Sequence, residues 1–256
     1  DGALCALQRR VATSRYLNPT NEPELRAAFA AGKPVRPTYV PASWADEHLR
    51  ALDRIRPPLG HALGAVVAQA VEESRLAARA LRDRSAEAFA ALGAAAGWDD
   101  PPGVPSPPPF PARVADETRL GAPVLADHLA AALRARRLDR WRVEMDPVMS
   151  ARVLVDAPRF TVRVNPRATC TTTELHALEA HEIDVHVARA EAGSRQPLAI
   201  FAHGLPGSLP TEEGLALHAE AEVVGLPSGA LARLESMAAM ALRAQDMGLT
   251  ELVREA

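Results

Sequence analysis

The sequence predicts an α+β fold, mostly helical, in which a histidine-bearing helix stands beside a small β-sheet. Three observations predict it. Helical periodicity runs through residues 61–97 and resumes after Thr171, the stretches 152–155 and 160–164 are rich in β-branched residues, and HEIDVH at 181–186 sets two histidines around a carboxylate within one helical segment.

The elements follow in chain order. Residues 1–100 read as a helical part, in which 61–97 forms one long or broken amphipathic helix with Leu76, Leu81, Phe89 and Leu92 on its apolar side. No sustained heptad is present, so packing against the rest of the chain is expected rather than a coiled coil. PPGVPSPPPFP at 101–111 fixes an extended path and removes backbone donors, which makes a stiff surface connector. Residues 112–256 then form the catalytic part, and the whole is expected to be one compact unit. Within it FTVRV at 160–164 alternates apolar residues with Thr161 and Arg163 and reads as a strand next to the histidine helix. That helix opens at Thr171 with Glu174 three residues on, a capping box, and Leu175, Leu178, Ile183 and Val185 supply its apolar positions.

Two histidines beside a carboxylate, with acids at Glu212 and Glu213 downstream, are the parts of a catalytic zinc site. The spacing needs a physical check. His181 and His186 are five apart, and at roughly 100° per residue a regular α-helix would aim them about 140° apart. A π-type turn inserts one residue and returns i and i+5 to the same side, so a widened helix is expected at 181–186. Glu182 would be the general base. Spacing alone leaves Glu212 and Glu213 both open as third ligand, because Thr211 is a natural N-cap and acids in a first turn also favour the helix dipole. Asp184 or Glu212 would orient a histidine from behind. His176, His203 and His218 are read as packed or surface histidines.

Composition bounds the rest. With 256 residues and 48% hydrophobic content the chain can bury a sizeable core. A net charge of -3 and 4% aromatics give no stacking platform, so nucleic acid is not an expected partner. No apolar run approaches a membrane span and the first ten residues lack the centre of a signal peptide, so no membrane partner is expected. Cys5 and Cys170 are too few for a disulfide framework, which suits a reduced cytoplasmic setting. Internal repeats, a phosphate loop and a serine-nucleophile elbow are all missing. Arginines crowd residues 134–167, either as a solvated face or as a basic rim drawing an acidic peptide or its terminal carboxylate.

The run HEIDVHVARAEAGSRQPLAIFAHGLPGSLPTEEGLALHAE resembles the bacterial flavohemoglobin-expression-modulating QEGLP-motif proteins and their eukaryotic relatives, the microtubule-associated tyrosine carboxypeptidases. HEIDVH, RQPL at 195–198, GLPG at 204–207 and EEGLA at 212–216 carry the likeness. Weaker similarity runs upstream through NPTNEP at 18–23 and PTYVP at 37–41. The resemblance implies a zincin-like metallocarboxypeptidase with an HExxxH helix, Zn2+ on His181, His186 and Glu213, Glu182 as base, and the C-terminus of a peptide or protein as substrate. Arg163 and Arg195 are the candidates for binding its terminal carboxylate. Two departures bear on substrate preference: Ala192-Gly193 stands where the family shows Asn-Gly, and Ser208 where an aromatic is common. Members of the family also continue past the end of this sequence with an arginine-containing motif. Two other readings share these motifs, a biosynthetic hydrolase trimming a modified peptide and a catalytically silent regulator.

Overall fold

A computed structural model describes residues 1–11, 13–34, 36–58, 60–96 and 118–224, with Arg243, Met247 and Glu251. The expected proline-rich connector at 101–111 lies outside the described residues, as does most of the stretch after 224.

The N-terminal part is helical: α1 (Gly2–Gln8), α2 (Thr13–Leu17), α3 (Glu22–Ala30), α4 (Ala45–Leu52), α5 (Ala62–Asp83) and α6 (Ala86–Ala96). The long amphipathic segment is thus broken in two. Arg84 adopts the left-handed conformation at φ 49, which ends α5, and Ser85 Oγ accepts the Ala88 amide at 3.2 Å to start α6. The Arg84 guanidinium is fixed by the carbonyls of Tyr16 and Val40 at 2.8 and 3.1 Å, so the break is tied to tertiary contacts.

The second part begins with β1 (Leu120–Gly121) and α7 (Ala122–Ala135) and continues through β2 (Arg142–Met145), β3 (Val153–Asp156), β4 (Thr161–Val164) and β5 (Thr169–Cys170). A three-stranded sheet has the order β2-β4-β3, parallel between β2 and β4 and antiparallel between β3 and β4; β1 pairs antiparallel with β5. The chain then runs through α8 (Thr172–Leu178), a π-helical segment (Glu179–Val187), α9 (Ala188–Ser194), α10 (Ile200–His203) and α11 (Leu209–Val224). The molecule is therefore mostly helical with small sheets.

The alternation in FTVRV places Val162 and Val164 at zero exposure, where they meet Leu125, Leu129 and Ile183 in the main core. Each such fully buried aliphatic contributes roughly 1.5–3 kcal/mol. A second core joins Leu4, Leu52 and Val67 of the N-terminal helices to Ile200 of α10, and the Asp1 carboxylate accepts the Ile200 amide at 3.1 Å. The N-terminal helices are thereby packed onto the second part of the chain. Among the described residues, no helix is long and apolar enough to cross a membrane.

Gly193 controls how closely α9 approaches α10. A Cβ built there would sit 2.1 Å from the Phe201 carbonyl oxygen and 2.4 Å from its carbon, both backbone atoms that cannot swing aside. We expect Gly193→Ala to cost on the order of 3 kcal/mol, through overpacking, and to lower Tm by roughly 5–10 °C. Calorimetry checks this, and an unchanged Tm would show that the two helices can separate freely.

Candidate metal centre

The histidine helix is built as its sequence requires. Thr171 Oγ1 accepts the Glu174 amide at 3.1 Å and Glu174 Oε2 accepts the Thr171 amide at 2.9 Å, so both halves of the capping box are present. Leu175, Leu178 and Ile183 turn into the core. Over Glu179–Val187 the helix widens to π geometry, and the five-residue spacing brings His181 and His186 side by side with ring centroids 4.9 Å apart.

The far ends of both imidazoles face Glu213. His181 Nε2 lies 3.6 Å from Glu213 Oε2, and His186 Nε2 lies 3.6 Å from Glu213 Oε1. The near ends are tied down. His181 Nδ1 donates to Glu220 Oε1 at 2.7 Å and His186 Nδ1 donates to Glu212 Oε1 at 2.7 Å. Glu212 Oε2 in turn accepts from Arg189 Nε at 3.0 Å, and Arg189 Nη1 donates to the carbonyls of Phe201 and Ala202. A carboxylate on each Nδ1 keeps the proton there and leaves the Nε2 lone pairs pointing at the space before Glu213. Potential ligand atoms of His181, His186 and Glu213 all lie within 4.8 Å of one another. Two imidazole nitrogens and one carboxylate oxygen, with carboxylates behind the imidazoles, suit a catalytic zinc site.

Charge points the same way. Burial opposes protonation of His181, but the Glu220 hydrogen bond and the nearby Glu182 and Glu213 carboxylates prevail and raise its pKa. These acids favour positive charge between the rings. Glu182 is 7% exposed and its carboxyl is pushed up by burial, against the pull of His181 and His186. Glu212 goes the other way: burial raises it, but the His186 and Arg189 contacts outweigh this and lower its pKa, so it stays ionised.

His181, Glu182, His186 and Glu213 line a cleft of about 1080 Å³, to whose lining α4, α5 and α6 also contribute. The two arginines singled out from sequence lie elsewhere. Arg163 is 13% exposed and grips Asp146 and Asp156 at 2.6 and 2.7 Å, while Arg195 is 74% exposed and reaches Glu191 at 3.2 Å. Neither lines the cleft. The rest of the arginine run is also largely paired: Arg136 with Glu179 and Asp184, Arg140 with Glu191, Arg152 with Glu174, Arg159 with Asp156 and Arg167 with Glu22. That is a paired surface face rather than a rim around the cleft.

Other local expectations are corrected. Asp184 holds Arg136 at 2.6 Å and touches neither histidine by hydrogen bond, so of the two acids suggested for orienting a histidine only Glu212 does so. Helix α11 starts at Leu209, which puts Thr211 inside the first turn rather than at the N-cap. The strand read from sequence at 160–164, β4, lies between β2 and β3 and has its ladder filled on both sides, so it cannot pair with a substrate backbone; among the described residues β2 and β3 are the edge strands, and Val153, Leu154 and Val155 of β3 line the cleft. Sequence reasoning missed Glu220. It lies seven residues after Glu213, two turns along the same helix face, and that spacing was the available signal.

A second group, His128, His176 and Glu179, also brings ligand atoms within 4.8 Å. Its carboxylate is already held by Arg136 at 2.8 Å and by His128 at 2.6 Å, so a guanidinium occupies the place a cation would need.

Residues 109–246 match the family described as microtubule-associated tyrosine carboxypeptidase, a little over half of the chain. The chain belongs to that family. Every residue of the candidate centre, from His181 to Glu220, falls within the matched span, whereas the N-terminal helices that also line the cleft lie outside it. No curated protein and no solved structure matches the chain.

Proposed function

We propose that this member of the tyrosine carboxypeptidase family is a zinc carboxypeptidase, removing the C-terminal amino acid of a peptide or protein. His181, His186 and Glu213 would hold the metal and Glu182 would serve as general base. The observation that carries the reading is the pair of imidazoles aimed through Nε2 at Glu213 while Glu220 and Glu212 hold their Nδ1 protons. Family membership supports the reaction type.

Bound there, zinc supplies Lewis-acid polarisation of water and of the scissile carbonyl. The chain's own residues do the rest. The buried Glu182 carboxylate takes the proton of the attacking water as its oxygen bonds to the carbonyl carbon, then delivers it to the departing amide nitrogen as the C–N bond breaks. The open edge of β3 offers main-chain donors and acceptors to an extended peptide. Glu220 and Glu212 fix the orientation of the imidazoles by accepting from their Nδ1 atoms.

The test is a set of peptides with free and amidated C-termini, followed by mass spectrometry of the released residue. We expect release of a single C-terminal residue from free-acid peptides and at least about a hundredfold slower release from amidated ones. Equal cleavage of both forms, or cuts well inside the peptides, would identify an amidase or endopeptidase instead. Glu220→Gln tests the support of His181 separately. The amide is a weaker acceptor, and we expect zinc affinity to fall about 10- to 100-fold in chelator competition with the fold intact. Unchanged affinity would mean that His181 is oriented by other contacts.

A further inference from the structure

We propose that Arg189 recognises the terminal carboxylate of the substrate, which it meets in the cleft beside the candidate metal centre. This rests on the carboxypeptidase reading and assigns the specificity-determining role that Arg163 and Arg195 do not fill.

A carboxylate taken out of water needs a counter-charge or several hydrogen-bond donors. Among the described residues that line the cleft, Arg189 carries the only guanidinium, and no lysine is present. The histidines outside the candidate centre do not replace it. Burial lowers the pKa of His48, and burial with help from Arg9 and Arg189 lowers that of His203 to about 4, so both are neutral near pH 7. Arg9 does not line the cleft.

Arg189 is both fixed in place and open to a ligand. Its Nε donates to Glu212 Oε2 at 3.0 Å and its Nη1 donates to the carbonyls of Phe201 and Ala202 at 3.3 and 2.8 Å, so contacts from α10 and α11 hold the guanidinium. None of these bonds uses Nη2, which carries two further N–H groups. The planar fork of arginine can therefore serve a second carboxylate through an edge that Glu212 does not occupy. The Arg189 side chain is 32% exposed, against 13% for Arg163. It also lines a second cavity, of about 530 Å³, together with Gly204, Leu205, Ser208 and Glu212, all of which line the main cleft as well. The residue thus stands where two cavities adjoin, not behind a closed wall.

Its place along the chain suits the end of a substrate. Arg189 follows His186 by three residues, about one helical turn, and the Glu212 carboxylate alone bridges imidazole and guanidinium, at 2.7 and 3.0 Å. A peptide whose last amide stands at the metal ends one residue, roughly 3.5 Å, further on. Its carboxylate then falls next to the centre, where Arg189 is the cation.

Two measurements test this on the zinc-loaded full chain. The first is fluorescence anisotropy with two labelled, non-hydrolysable ketomethylene hexapeptides that differ only in ending as a free acid or an amide. We expect the free acid to bind at least about tenfold more tightly. Arg189→Gln removes the charge and the fork and should weaken the free acid about ten- to hundredfold, the loss expected for hydrogen bonds to a charged group, and the amide about threefold or less. Arg189→Lys keeps the charge without the fork and should fall between. Glu212→Gln separates recognition from support of His186: zinc affinity should fall in chelator competition while the preference for the free acid stays. The second measurement uses the wild-type chain, so it does not depend on a variant folding. Phenylglyoxal labels accessible arginines, and mass spectrometry of the digest reads Arg189. The free acid should protect Arg189 from labelling, and the amide should not. A preference for the free acid that vanishes in Arg189→Gln supports the proposal even if no peptide is cleaved. No preference in the wild-type chain, equal weakening of both ligands in Arg189→Gln, or equal protection of Arg189 by both would overturn it. A preference that survives in Arg189→Gln would also overturn it while leaving the carboxypeptidase reading in place.

Discussion

Glu182→Gln is expected to abolish turnover while leaving the bound metal in place. The amide keeps the volume and the position of the carboxylate but cannot accept the proton of the attacking water. General-base catalysis is typically worth about 10²- to 10⁴-fold, and kcat should fall by that factor or to the detection limit. Stability should not suffer. Glu182 is buried at 7% exposure and its charged form is disfavoured by that burial, so a neutral amide fits the site at least as well. Metal content, Tm and activity measured on one preparation separate these effects. An active Glu182→Gln enzyme would remove Glu182 from the role of base.

Removing a histidine should do the opposite and lose metal and activity together. His186→Ala deletes one nitrogen aimed at Glu213 and also strips the imidazole N–H from Glu212, which is left with Arg189 alone. With two of the three donors remaining, we expect zinc content below about one tenth of an equivalent after dialysis, and activity lost to the same extent. The Glu212–Arg189 pair still anchors α11 to α9, so the folded state should survive without the metal. Full zinc retention by His186→Ala would show that the ion, if bound, is held elsewhere.

What the sequence revealed of this site was local. Two histidines five apart cannot share one side of a regular helix, so HEIDVH demanded the π segment that is found at Glu179–Val187. The capping box at Thr171 and the strand at Thr161–Val164 were likewise written in neighbouring residues. The non-local parts were not legible. Whether β4 lies inside the sheet or at its edge depends on which strands pair with it, and β2 arrives from a different stretch of chain than β3. Arg163 looked available because its partners, Asp146 and Asp156, lie 17 and 7 residues away across strand crossings. The cleft wall formed by α4, α5 and α6 depends on packing between distant segments, which periodicity within one segment does not encode. Glu220 is the intermediate case, since helix spacing placed it on the Glu213 face but only the fold supplied its histidine.

The most direct measurement is X-ray absorption at the zinc edge on the purified chain loaded with one equivalent of zinc, compared with Glu213→Ala. We expect two imidazole nitrogens near 2.0–2.1 Å, oxygen in the remaining positions and no sulfur, together with loss of the bound metal in Glu213→Ala. Full zinc occupancy in Glu213→Ala, a sulfur shell from a cysteine, or failure of the wild-type chain to bind the metal would contradict the assignment of His181, His186 and Glu213 as its ligands.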